Sequence, residues 1–168
     1  TGTMLDSARF QILLSRQLGV SARSINAYVM GEHGDSSVLN WSAVTVGNIP
    51  LDDFCKQTNI PLPAATRKTI EYRVHNAAYE IIQGRGATWD GIGAVVADLL
   101  RCIINDEKRI LTVSKTEGNG NTAVAVSVPR IVGAGGVTAT LIPKMTAPES
   151  KALQKSAGII RASFDSVN

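Results

Sequence analysis

Apolar positions recur along this chain with two periods. Leu5, Ala8, Ile12 and Leu13 fall at helical spacing; Thr3 can cap them with Asp6 three residues on, and Gly19 follows Leu18 as a stop. This pattern predicts a helix over 4–18. Ile25–Met30 is apolar and β-prone apart from Asn26, and predicts a strand that ends in the polar run GEHGDSS at 31–37. Val38–Trp41 and Ala43–Val46 fit a further strand or a short helix, and the pattern does not separate the two. Asn48-Ile49-Pro50 reads as a turn, 51–56 as a helical turn and TNIPLP at 58–63 as a loop.

A long helix is expected over 64–83, with Ile70, Val74, Ala77, Ala78, Ile81 and Ile82 on one face, broken by Gly84-Arg85-Gly86. A second stripe, Ile92, Val95, Val96, Leu99, Leu100 and Ile103, predicts helix over 89–105. Strands are expected at 109–115, 122–129 and 136–142, joined by hairpin turns at EGNGN (117–121) and GAGG (133–136). A last helix over 147–165 starts after Thr146, with Pro148 at an early position. Helices and strands fall in separate runs rather than in alternating βαβ units, so the fold class is α+β.

Composition narrows the function classes. The 168 residues suit one domain spanning 1–168, with 44% hydrophobic and 18% charged residues, which excludes a disordered or fibrous chain. The net charge of +3 is mild and the basic residues are scattered, so no nucleic-acid partner is implied. No apolar run approaches a membrane span, and no membrane partner is expected. Cys55 and Cys102 read as two reduced, buried thiols, which points to a cytoplasmic protein. The opening TGTMLDSARF has no initiator Met or signal peptide and reads as a loop entering a helix, so a longer protein is expected to precede it.

No glycine stretch follows a strand and opens a helix, as a dinucleotide fingerprint requires. Two histidines without a cysteine pair make a metal site unexpected. His75, inside the long helix, reads as a structural or surface histidine. His33 sits in Glu32-His33-Gly34-Asp35 directly after an apolar strand, where catalytic groups concentrate. Asp6 and Arg9 are spaced i, i+3 and can form an ordinary ion pair. They can also separate, the carboxylate orienting an imidazole and the guanidinium gripping a substrate carboxylate with two parallel hydrogen bonds. Spacing alone leaves both readings open. Trp41 and Trp89 read as packing residues.

LDSARF at 5–10, GEHGDSS at 31–37 and GATWDGI at 86–92, in this order and spacing, resemble the lactate/malate dehydrogenase superfamily over essentially the whole chain. The GEHGD form and Thr88 look closest to L-lactate and related L-2-hydroxyacid dehydrogenases. The resemblance implies the C-terminal substrate domain, with long helices on an antiparallel sheet. It implies His33 as proton donor and acceptor, Asp6 as its orienting carboxylate and Arg9 as the anchor for the carboxylate of a 2-keto or 2-hydroxy acid. It also implies Thr88 on the substrate pocket and Ile92 beside the nicotinamide, although helix core is the plainer reading of Ile92. NAD would be held mainly by an N-terminal Rossmann domain outside this chain, and a homo-oligomer, dimer or tetramer, is implied. Gln11 and Asn26 stand where bisphosphate-activated bacterial enzymes carry basic residues, so activation by that sugar phosphate is not expected. Malate as substrate, or a purely non-catalytic assembly role for the isolated chain, are the competing readings.

Overall fold

A computed structural model describes residues 1–119 and 123–166. Helix α1 (Gly2–Leu18) begins two residues earlier than the spacing predicts. Its N-cap is Thr1, and Gly19 closes it in the left-handed conformation at φ 67°. Thr3 is therefore not a cap. It lies inside the first turn, buried, with its hydroxyl donating to the Thr112 carbonyl at 3.0 Å.

The single strand expected at Ile25–Met30 is two short ones in different sheets. Strand β1 (Ile25–Asn26) pairs with β4 (Thr45–Val46), whereas β2 (Val29–Met30) pairs with β3 (Val38–Leu39). Between the two strands the Ala27 carbonyl accepts from the Gln11 side chain at 3.0 Å, and the Tyr28 carbonyl from the Asn40 amide at 3.0 Å. The region from 38 to 46, left open between strand and helix, contains both, with a 3₁₀ turn at Trp41–Ala43 between β3 and β4. The turn expected at Asn48-Ile49-Pro50 sits one residue earlier. Gly47 and Asn48 both have positive φ, 56° and 66°, as a two-residue hairpin turn requires, while Ile49–Pro50 forms β5 against β4.

Helices α2 (Leu51–Thr58) and α3 (Ala64–Arg85) follow, α3 running two residues further than expected before Gly86 caps it. Helix α4 spans Trp89–Ile104. Strands β6 (Arg109–Glu117), β7 (Val124–Gly133) and β8 (Gly136–Thr140) make an antiparallel meander in that order. Of the turn expected at 117–121, Gly120 and Asn121 lie outside the described residues, as does Thr122 of the strand expected at 122–129. Helix α5 (Ala147–Asp165) starts where predicted. The Thr146 hydroxyl and the Glu149 carboxylate form a reciprocal capping box, with Pro148 in the first turn.

Helix α1 joins two apolar cores. Phe10, Leu14 and Leu18 pack with Val29, Val44, Leu51 and Val74 in one; Met4 packs with Val95, Cys102, Leu111 and Val132 in the other. The architecture is α+β, long helices laid on antiparallel sheet. Among the described residues no helix is long and apolar enough to cross a membrane. Cys102 is fully buried and its thiol donates to the Val132 carbonyl at 3.3 Å; Cys55 is half-buried, and burial pushes its thiol up from its ordinary value.

Candidate functional site

The site is built where the first half of α1 meets the loop that follows β2. The polar residues of α1 are turned inward and tied down. Ser7 donates to the Thr3 carbonyl at 2.7 Å and accepts from the Val29 amide at 2.9 Å, which fixes the strand that feeds the loop. At the strand's end Gly31 adopts φ 90° and exchanges backbone hydrogen bonds with Ser127 on β7, at 2.7 and 3.3 Å. The Glu32 amide then donates to the buried hydroxyl of Ser156 on α5 at 2.8 Å. A side chain at Gly31 would start 2.5 Å from that hydroxyl, so glycine is needed there for space as well as for its backbone angle. The loop carrying His33 is fastened to the sheet and to the last helix.

Asp6, 4% exposed, divides its carboxylate between two partners. One oxygen accepts from Arg9 at 2.9 Å, and the other accepts from His33 Nδ1 at 2.7 Å. The ordinary i, i+3 ion pair is formed, so Asp6 and Arg9 do not separate, and the same carboxylate also faces the His33 imidazole. A carboxylate facing Nδ1 fixes the tautomer and leaves Nε2 as the nitrogen available to exchange a proton. The hydrogen bond that His33 donates to Asp6 raises the His33 pKa above its ordinary 6.5; desolvation opposes this, the Asp6 charge adds to it, and the Arg9 charge opposes it. The imidazole side chain is 52% exposed, so it is reachable from solvent.

Two clefts meet at Arg9. One, of about 210 Å³, is lined by Asp6, Arg9, His33, Val74, His75 and Ala78 among others. The second, of about 220 Å³, is lined by Arg9, Ile81, Ala87, Thr88, Asp90 and Gly91. Arg9 thus lines one cleft with Asp6 and His33 and the other with Thr88. Ile92 is not among them. It lies one turn into α4, 37% exposed, and lines neither cleft; nor is it helix core. Trp89 corrects the packing expectation, being 80% exposed, while Trp41 packs edge-on against Phe10 at 4.7 Å. Gln11 and Asn26 spend their amides on the Ala27 carbonyl and the Thr45 hydroxyl.

Of the two readings of His75 the structural one holds, and sequence reasoning passed over Ser156 and Gly2. His75 is not a surface side chain: it is half-buried, and its Nε2 donates to the Ser37 carbonyl at 3.2 Å, tying α3 to the far end of the loop. Its neighbour Val74 in the core was the available signal. Ser156 carries no signal, being one serine in a polar helix. Gly2 lies directly beneath the His33 ring, and a glycine at a helix start is unremarkable by itself.

Among the described residues no three His, Cys, Asp or Glu side chains are placed to hold a metal ion. Among the described residues, the glycine stretches at 84–86 and 133–136 do not have the form of a dinucleotide cradle. Gly86 ends a helix, and Gly133 and Gly136 flank a hairpin turn, whereas a pyrophosphate cradle needs a glycine turn leading from a strand into a helix N-terminus.

A family model described as lactate/malate dehydrogenase, alpha/beta C-terminal domain, matches residues 3–168. The chain is 48% identical over 163 residues to the L-lactate dehydrogenase of Thermus aquaticus, covering 96% of this chain and 53% of that protein. It is 44% identical over 170 residues to the L-lactate dehydrogenase of Geotalea daltonii, covering 100% and 54%. It superposes on the minor L-lactate dehydrogenase of Enterococcus mundtii, in its ligands-bound form, with a TM-score of 0.90 at 32% identity, covering 99% of this chain and 53% of that one. The chain spans about half the length of the curated relatives it matches.

Proposed function

Because the chain belongs to the lactate/malate dehydrogenase family, as its C-terminal α/β domain, we propose that it is the substrate-binding and catalytic half of a cytoplasmic NAD-dependent L-lactate dehydrogenase. The reaction interconverts pyruvate and L-lactate. The observation that carries this reading is the divided Asp6 carboxylate, which holds a proton-exchanging imidazole and an anion-binding guanidinium on one buried charge.

Arg9 grips the substrate carboxylate, since its planar fork can make two parallel hydrogen bonds with it. Thr88, across the second cleft, closes the pocket beside it. His33, kept protonated to higher pH by Asp6, gives its Nε2 proton to the 2-keto oxygen during reduction and takes it back during oxidation. Asp6 holds the ring in that tautomer and stabilises the imidazolium between the two events. NAD supplies the hydride chemistry. In this reading it is held by a separate nucleotide-binding domain, which the nearly twofold greater length of the relatives supports. The apolar side chains left bare on α3 and α4, Tyr72, Ile82, Leu100 and Ile104 among them, support assembly with that domain and into a homo-oligomer. Pyruvate is favoured over oxaloacetate by the names of both curated relatives.

Steady-state kinetics on the full-length protein test the assignment. His33→Ala is expected to lower kcat for pyruvate reduction by about 10²–10⁴-fold, the range of a lost acid–base group. Arg9→Lys is expected to raise the pyruvate KM far more than it lowers kcat, because an ammonium cannot reproduce the fork. A His33→Ala enzyme that keeps its kcat would overturn the reading.

A further inference from the structure

We infer that Gly2 is a positioning residue for His33: by carrying no side chain it provides the seat that keeps the imidazole on Asp6. A Cβ built on Gly2 would stand 2.1 Å from His33 Cγ, 2.1 Å from Cδ2 and 2.7 Å from Nε2, far inside contact distance for all three. The ring therefore rests where that atom would be.

Gly2 and Asp6 are four residues apart on α1, on one face of the helix, one turn above the other. The first supplies the surface under the ring's Cγ–Cδ2 edge, and the second binds its Nδ1 at 2.7 Å. The backbone does not demand glycine here, since Gly2 has no positive φ and opens a regular helix in which alanine is the better former. The requirement is space alone. The side chain in the way is half exposed and free to swing outward, so an alanine is accommodated by the ring leaving Asp6 rather than by the helix shifting. The Arg9 bond uses the other carboxylate oxygen and is untouched by that movement. Helix stability and His33 placement should therefore separate, which a residue serving only the fold could not produce.

The activity readout rests on the dehydrogenase reading above; the titration readout does not, so the two can fail independently. In the full-length protein with labelled histidine, Gly2→Ala is expected to move the His33 NMR titration midpoint down, as Asp6→Asn does, while in the Asp6→Asn background, where the bond is already lost, it keeps or raises the thermal midpoint. In steady-state kinetics kcat falls by about tenfold or more, and the pyruvate KM changes by less than about threefold, as loss of proton transfer without loss of the anion anchor requires. Combining Gly2→Ala with Asp6→Asn should cost little beyond the larger single loss, because both act through one hydrogen bond. An unmoved His33 midpoint in Gly2→Ala overturns the inference. So do a thermal midpoint that Gly2→Ala lowers further in the Asp6→Asn background, which assigns Gly2 to the fold alone, and fully additive losses of kcat in the double variant. If the midpoint moves and no variant alters pyruvate turnover, the seat stands and the dehydrogenase reading falls.

Discussion

Helices α1 and α4 have nearly the same length, 17 and 16 residues, and reverse each other's burial. In α1 the polar Thr3, Asp6 and Ser7 are buried beside Met4, Phe10, Leu14 and Leu18. In α4 only Val95 and Cys102 are buried, while Val96, Leu100 and Ile104 stand 39%, 51% and 77% exposed. Burying a hydroxyl or a carboxylate is costly unless its hydrogen bonds are made, and in α1 they are: Thr3 to Thr112, Ser7 to Thr3 and Val29, Asp6 to Arg9 and His33. Helix α4 shows the opposite economy, an apolar stripe that the described residues do not cover. Polarity alone does not say what is inside. In one helix polar groups are drawn in to hold a site together, and in the other apolar groups remain out.

The largest test of this contrast is Phe10→Ala. Phe10 is fully buried, edge-on to Trp41, and its removal should cost about 3–5 kcal/mol of unfolding free energy in urea titration. A loss below about 1 kcal/mol would mean that α1 is not the core element described.

Asp6→Asn comes next. Losing charge-assisted bonds from a buried carboxylate is expected to cost about 1.5–3 kcal/mol, and the loss should depend on pH. The folded-state pKa of His33 is raised, chiefly by the bond to Asp6. Its contribution to stability is therefore fully present below the unfolded value of about 6.5 and is lost as pH rises through the raised value. The margin of the wild type over Asp6→Asn, measured by denaturation across this range, should be widest below about pH 6.5 and shrink above it. A margin growing with pH would contradict the Asp6–His33 bond.

The smallest effect tests the other helix. Leu100→Gln on the bare stripe of α4 should alter the stability of this chain by no more than about 0.5 kcal/mol. A core-sized loss would show the stripe to be covered within the chain after all.

What the sequence disclosed follows the reach of the interactions. Helix α5 was legible in its bounds because its cap is local, Thr146 and Glu149 three residues apart. The β6–β8 meander was legible from alternation and glycine turns. The division of 25–30 into two strands was not: the Gln11 side chain that takes the Ala27 carbonyl between them is 16 residues away. Periodicity showed α4 to have an apolar face but not whether anything lies against it. In the site, Asp6, Arg9 and His33 stood out by residue type and motif. Ser156 and Gly2 did not: one is an ordinary serine 124 residues from its partner, and the other acts through an atom it lacks.

The fastening of the His33 loop to Ser156 has a consequence for the order in which the molecule is made. Asp6 and His33 are made before β7 and α5 and lie close in sequence, but the loop that carries His33 is secured by those two later elements. Bonds closing such long stretches of chain form late, after the local structure they join. A nascent chain lacking α5 therefore holds His33 on an unsecured loop, and its placement against Asp6 is completed only once α5 has been added.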